Sequence, residues 1–157
     1  MRYESLATRH VVKGLDPVAD AFSGTTGSDI VDVTGHGSVT FTIYKGAGAT
    51  GTSTVTVEAC DDVTPTTATA VQFYYKAITS NDTQGAVIAA TSAGFATTAG
   101  SSQVYVIEVD SQELASAGFK YARLKMVEVV DSPVLGGILI QLNNPKYGAS
   151  TTNSVID

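Results

Sequence analysis

Fifteen carboxylates, two histidines and one cysteine are the first side chains to weigh for acid–base, nucleophilic or metal chemistry in this chain of 157 residues. Asp61 and Asp62 form its one adjacent carboxylate pair. A Ca²⁺ loop would follow them with oxygen ligands at fixed offsets, and Val63, Thr64 and Pro65 stand there instead. A two-carboxylate hydrolase needs acids that converge on a cleft, and the spacing of Glu58, Asp61, Glu108 and Glu128 selects no pair. Each reads as a surface carboxylate. His10 and His36 are far apart and neither has a second ligand at a useful offset, so exposed or capping imidazoles are expected. Thr34-Gly35-His36-Gly37-Ser38 has the glycine bracketing of a nucleophile turn without its strand-turn-helix context, and it reads as a β-turn. Cys60 has no neighbouring base and is expected to be a small, half-buried strand residue. Gly46-Ala47-Gly48-Ala49-Thr50-Gly51 lacks a Lys-Ser/Thr ending and leads into a strand, unlike a phosphate cradle. Enzyme is therefore the weakest class, and no catalytic residue, cofactor or metal site is expected.

The elements that carry these residues are strands. Val55, Val57 and Ala59 alternate with Thr54, Thr56 and Glu58, the pattern of a half-buried antiparallel strand, and residues 61–65 close it with side chains that can bond their own backbone. Val39, Phe41 and Ile43 alternate with Thr40, Thr42 and Tyr44; Val71, Phe73, Tyr75 and Ala77 alternate with Gln72, Tyr74 and Lys76. Residues 104–109 are apolar at nearly every position, which predicts cover on both faces. Asp110-Ser111-Gln112-Glu113 has the form of an N-cap with a Glu three residues on, and Gly118 can stop the short helix that follows, near residues 111–117. Residues 119–130 form the longest strand candidate; its apolar parity changes between Met126 and Val127, which predicts a bulge there. Residues 134–142 read as the most buried strand, and Gly136-Gly137 within it predicts close backbone approach or a bend. Residues 85–99 are small and polar, a weak strand and a long connection.

Turn signals recur at roughly 8–12-residue spacing, as in an all-β sandwich or barrel. The reading is a two-sheet antiparallel β-sandwich, jelly-roll or immunoglobulin-like, of about eight strands. It occupies residues 28–143. Residues 1–27 have no sustained period and read either as an extended N-terminal arm or as an irregular edge strand; residues 144–157 read as a polar C-terminal tail. The net charge of -6 and nine scattered basic residues argue against a nucleic-acid partner. A single cysteine excludes an intramolecular disulfide and fits assembly in a reducing compartment. No run approaches the ~20 apolar residues of a membrane span, and the N-terminus lacks a signal-peptide core, so no membrane partner is expected.

The series Thr54-Val55-Thr56-Val57-Glu58-Ala59-Cys60-Asp61-Asp62-Val63-Thr64-Pro65, then Ala70-Val71-Gln72-Phe73-Tyr74-Tyr75, Ile107-Glu108-Val109-Asp110, Tyr121-Ala122-Arg123-Leu124-Lys125, Ser132-Pro133-Val134 and Asn144-Pro145-Lys146-Tyr147, resembles a group of small tailed-bacteriophage virion structural proteins. The similarity covers roughly residues 29 to 147. It implies a β-sandwich subunit, made in the host cytoplasm, that decorates or cements the exterior of the head shell. Its partners would be the major capsid protein and further copies of itself, in a dimer or trimer. An acidic surface suits the outside of a DNA-filled shell. The segments without core periodicity are the candidate contacts: Arg2, Tyr3, Leu6, Arg9, Val11, Val12 and Phe22 at the N-terminus, and Lys146, Tyr147, Val155 and Ile156 at the C-terminus. The alternatives are a receptor- or carbohydrate-binding module of a tail or fibre, with Tyr74, Tyr105 and Tyr121 as an aromatic platform, and a head-to-tail connector subunit.

Overall fold

The fold was obtained as a computed structural model, which describes residues 8–48, 50–148 and 155–156. Thirteen strands and one short helix follow one another as β1 (His10–Val18), β2 (Thr25–Gly27), β3 (Ile30–Asp32), β4 (His36–Lys45), β5 (Thr52–Cys60), β6 (Ala68–Val71), β7 (Phe73–Ile78), β8 (Ile88–Ala90), β9 (Phe95–Ala96), β10 (Gln103–Asp110), α1 (Ser111–Ser116), β11 (Tyr121–Val130), β12 (Gly136–Pro145) and β13 (Val155–Ile156). They form two antiparallel sheets. One has six strands in the order β1-β12-β4-β10-β7-β8; the other has seven, β13-β3-β11-β5-β6, with β2 on β11 and β9 on β5. The strand number exceeds the expected eight because short pieces of two to four residues patch the edges of both sheets.

Period-two alternation builds the core. In the six-stranded sheet Val12, Ile140, Phe41 and Ile107 lie in one inward cross-strand row; opposite them Val55, Val57, Ala59, Ala122, Leu124 and Met126 face in from β5 and β11. Burying one such Leu or Ile side chain contributes about 1.5–3 kcal/mol, so this double layer is the main source of stability. The chain crosses between sheets at Gln72, which separates β6 in one sheet from β7 in the other. At that seam Tyr75 and Phe95 stack with centroids 3.9 Å apart, next to Phe73 and Tyr105. The Tyr105 hydroxyl accepts from Thr98 N and donates to the Gln103 amide oxygen, while the buried Lys45 ammonium donates to the Thr98 and Gly51 carbonyls. Burial lowers the Lys45 pKa.

The N-terminal expectation resolves in favour of the edge strand from residue 10 onward. β1 pairs with β12 from His10↔Leu142 to Val18↔Gly136, with register shifts around Gly14, Leu15 and Val18 that erase a clean period. A Cβ on Gly14 would lie 2.7 Å from Ile140 Cγ1, so any side chain there would force the buried Ile140 to shift. Phe22 is 4% exposed, and its ring lies where a Gly136 side chain would sit. Thus residues 10–22 belong to the sandwich rather than to a free arm. At the other end β12 runs to Pro145, and Val155 and Ile156 pair with β3 in the second sheet.

Local expectations change too, and Glu58, expected as a surface carboxylate, is buried. The bulge in β11 lies between Glu128 and Val130, not at Met126: Val127 and Val129 are apolar side chains on the exposed side, so the parity change marks an uncovered face. Residues 104–109 alternate between buried and open positions instead of being covered twice. His36, expected at the surface or as a cap, is buried.

Candidate functional site

Four of the carboxylates, Asp61, Asp62, Glu58 and Asp110, are held in structural work. Asp61 accepts from the Thr66 hydroxyl and from Thr67 N, which hold its carboxyl below its ordinary range. Asp62 accepts from Val63 N. Together these bonds shape the β5–β6 turn that the sequence predicts. For Glu58, burial favours the neutral acid, but hydrogen bonds and charge from Lys125 and Arg123 outweigh it and the pKa is lowered. Asp110 caps α1 by accepting from Gln112 N. Cys60 is fully buried rather than half-buried, and burial pushes its thiol up to about 11. The His36 pKa is lowered by burial and by His10 and Lys146, partly opposed by Asp32; its Nδ1 has no hydrogen-bond partner. Among the described residues no group of three or more His, Cys, Asp or Glu side chains could hold a metal ion.

The outer face of the six-stranded sheet is the surface with the most unusual chemistry. Its rows follow from register: Lys13, Leu139, Thr42, Val106 and Lys76 lie across the strands in one row; Gly137, Tyr44, Val104 and Ile78 lie in the next. Leu139 is 54% and Tyr44 58% exposed, although β12 reads from sequence as the most buried strand. Gly137 leaves a gap between them. Leu15, Pro17 and Leu135 wall the gap, giving a groove of ≈ 350 Å³ lined almost wholly by carbon. The glycine doublet has two separate causes. A Cβ on Gly136 would strike the Phe22 ring at 2.6 Å on the inner side; one on Gly137 would approach the Leu15 carbonyl oxygen to 2.9 Å on the outer side.

The same face turns polar toward the start of β1. Gln141 donates to the Asn143 side chain at 2.6 Å, Asn143 to Thr40 Oγ1 at 2.8 Å, and Ser38 to Glu108 at 2.8 Å. Arg9 lines a hollow with Thr8, Glu108, Asn143 and Asn144.

The expected contact residues divide accordingly. Arg2, Tyr3 and Leu6 lie outside the described residues. Val12 and Phe22 are core side chains and are withdrawn from any surface contact. Arg9 and Val11 are exposed at the polar end of this face. Lys146 and Tyr147 leave β12 near the same end; Lys146 donates to the Thr34 carbonyl, and Tyr147 is almost fully exposed. Val155 and Ile156 lie on β13 at the edge of the other sheet. The tyrosine platform does not assemble. Tyr105 is buried with its hydroxyl engaged, Tyr74 is on the outer face of one sheet, and Tyr121 belongs to the other, with Lys120 Nζ 5.0 Å from its ring centre. The groove residues Leu15, Pro17, Tyr44, Leu135 and Leu139 escape sequence reading; Gly136-Gly137 is the one signal that points toward them.

No protein-family model matches the chain, and no curated protein matches it. Among solved structures, the SPBc2 prophage-derived protein YomS overlaps 84% of this chain and 92% of its own, at 14% identity and a TM-score of 0.45. A structure of infectious bursal disease virus, Gx strain, overlaps 87% of this chain at 12% identity and a TM-score of 0.25, and the VP2 subviral particle of that virus overlaps 94% at 8% and 0.27. This chain spans less than half the length of those two viral chains. Overlaps this loose assign no function.

Proposed function

We propose that the protein is a non-enzymatic structural component of a bacteriophage virion that binds the outer surface of the capsid in many copies and cements the shell. The observation that carries this reading is the carbon-lined groove around Gly137 on the outer face of the six-stranded sheet. An open apolar groove flanked by exposed Tyr44 and Leu139 supports this reading, since apolar side chains of another protein would fill it and exclude its water. The resemblance of residues 29–147 to phage virion structural proteins supplies the partner class, with the major capsid protein as the surface bound. The polar end of the same face, with Arg9 and Val11, and the neighbouring Lys146 and Tyr147 would form the rim. Modest affinity per copy suffices when copies are linked.

The test is binding of purified protein to empty capsids, with occupancy measured by sedimentation. Leu139→Asp and Tyr44→Ala change exposed side chains, so the variants should fold and yet lose most occupancy. Full occupancy with both variants would refute the groove as the docking site. Binding of the purified protein to glycans, with no affinity for capsids, would favour the receptor-binding alternative.

A further inference from the structure

Among the described residues one buried side-chain nitrogen or oxygen has no hydrogen-bond partner, and it is His36 Nδ1. The residue follows the β3–β4 turn, pairs with Pro145 of β12 and is 4% exposed. A bare lone pair on that nitrogen is tolerable there. An imidazolium would instead place a charged N–H in a buried spot with nothing to receive it, which costs far more. The closed fold therefore holds His36 neutral, with its single ring proton on Nε2.

The charged groups around the ring do not relieve this. Three elements bring titratable side chains toward it: His10 from β1, Asp32 from β3 and Lys146 from the chain just after β12. His10 and Lys146 repel an imidazolium; Asp32 attracts it, but its Oδ1 already accepts from Thr34 N at 2.8 Å. The same corner holds the C-terminal segment. Lys146 N donates to the Gly35 carbonyl at 2.8 Å, Lys146 Nζ donates to the Thr34 carbonyl at 3.2 Å, and β13 pairs with β3 through Val155↔Val31 and Ile156↔Ile30. The chain beyond β12 is thus tied to β3 and its turn by a few bonds, whereas β4 and β12 behind it share a continuous ladder. Opening this corner is the least costly way to give the ring water.

We propose that His36 is a proton-operated latch on the C-terminal segment: with the ring neutral the β3–β4 turn stays closed on Lys146, and with the ring protonated the corner opens and Lys146 and β13 come away while the two sheets stay folded. The linkage has one sign. Burial and the nearby cations make the closed-state ring bind its proton less readily than the open-state ring, whose ordinary value is 6.5. The closed corner is therefore fully favoured above 6.5, loses ground as pH falls below it, and has lost all of this contribution below the closed-state value. Glu58 acts in a lower window, because its carboxyl titrates below its ordinary 4.5. The latch is independent of what the groove binds, and its test uses the isolated protein without capsids.

Amide hydrogen exchange of the full isotope-labelled chain, read by NMR from about pH 7.5 to about pH 5 and corrected for the intrinsic exchange rate, follows the Lys146 amide. Its protection should fall by up to about tenfold per pH unit below the ordinary histidine value, while the Phe41 and Val57 amides keep theirs. His36→Gln removes the titrating ring and should make Lys146 protection flat with pH; His10→Gln should leave the fall in place. If His36→Gln does not fold, the wild type decides alone: the chain has two histidines, and the His36 ring signal should titrate below 6.5. Constant Lys146 protection across this range overturns the latch. So does a fall that persists in His36→Gln, a His36 ring that titrates at or above 6.5, or loss of protection at Phe41 and Val57 in step with Lys146.

Discussion

Acid sensitivity of this fold should turn on Glu58. It sits on β5 opposite Arg123 of β11, and its side chain is 11% exposed. Arg123 Nη2 and Nε lie 2.7 and 2.8 Å from Oε2, and Lys125 Nζ lies 3.0 Å from Oε1. Burial alone would raise the carboxyl pKa; the hydrogen bonds and charges of Lys125 and Arg123 leave it below its ordinary 4.5. A carboxyl with a depressed folded-state pKa binds its proton more readily in the unfolded chain. Its stabilisation is therefore complete above the unfolded value and is lost as pH falls through the folded value. Glu58→Gln keeps the volume and removes the charge. Each charge-assisted contact is worth about 1.5–3 kcal/mol net. The cation side chains are 27% and 34% exposed and can recover water. The loss should accordingly be near 2 kcal/mol, below the ~3–5 kcal/mol of a fully buried broken pair. That corresponds to a melting shift of about 4–8 °C for a domain of this size. Urea unfolding of wild type and variant at pH 7, then in steps toward pH 2, measures it. The gap should close as the medium is acidified. A gap that stays constant with pH, or is below ~0.5 kcal/mol at pH 7, would refute the assignment of this stabilisation to the Glu58 charge.

Phe22→Ala should cost about 3–5 kcal/mol in urea unfolding, since it empties a core position over Gly136; a loss below ~1 kcal/mol would return this segment to the status of an arm. Gly94→Ala should be far worse than Gly118→Ala. Both have positive φ, but a Cβ at Gly94 would come within 1.9 Å of the Val55 carbonyl oxygen, whereas at Gly118 nothing lies within 4 Å. The second substitution should cost only the left-handed backbone term of about 1–2 kcal/mol, and equal melting temperatures for the two variants would contradict the placement of the β8–β9 turn. Cys60, fully buried and with its thiol pKa pushed up to about 11, should resist thiol reagents at pH 8 in the native protein and react fully in denaturant; fast native labelling would mean that this end of β5 opens.

What could be read from the sequence was local. The Val55, Val57, Ala59 alternation, the Asp61 turn and the Asp110 cap each depend on neighbours within a few residues, and each is found where the pattern places it. Glu58 is different. Its partners are 65 and 67 positions away, and only the register of β11 on β5 makes three surface-type side chains into one ionic cluster. Val12 hides for a related reason: register shifts around Gly14 break the period that would have marked β1 as core, and Phe22 lies beyond the strand altogether. Apolar runs mislead in the opposite direction. Leu139, Val104, Val106 and Val127 read as buried because they are apolar, yet they project from sheet faces that no layer covers among the described residues. Alternation reports which side of a strand is more apolar; it does not report how many layers the fold supplies. Where a strand is apolar on both sides and only one side has a layer, the excess apolar side chains are left on the surface. By that reasoning the proposed contact with another protein falls on the second apolar side of β12, a feature of register that the carboxylates, histidines and cysteine do not report.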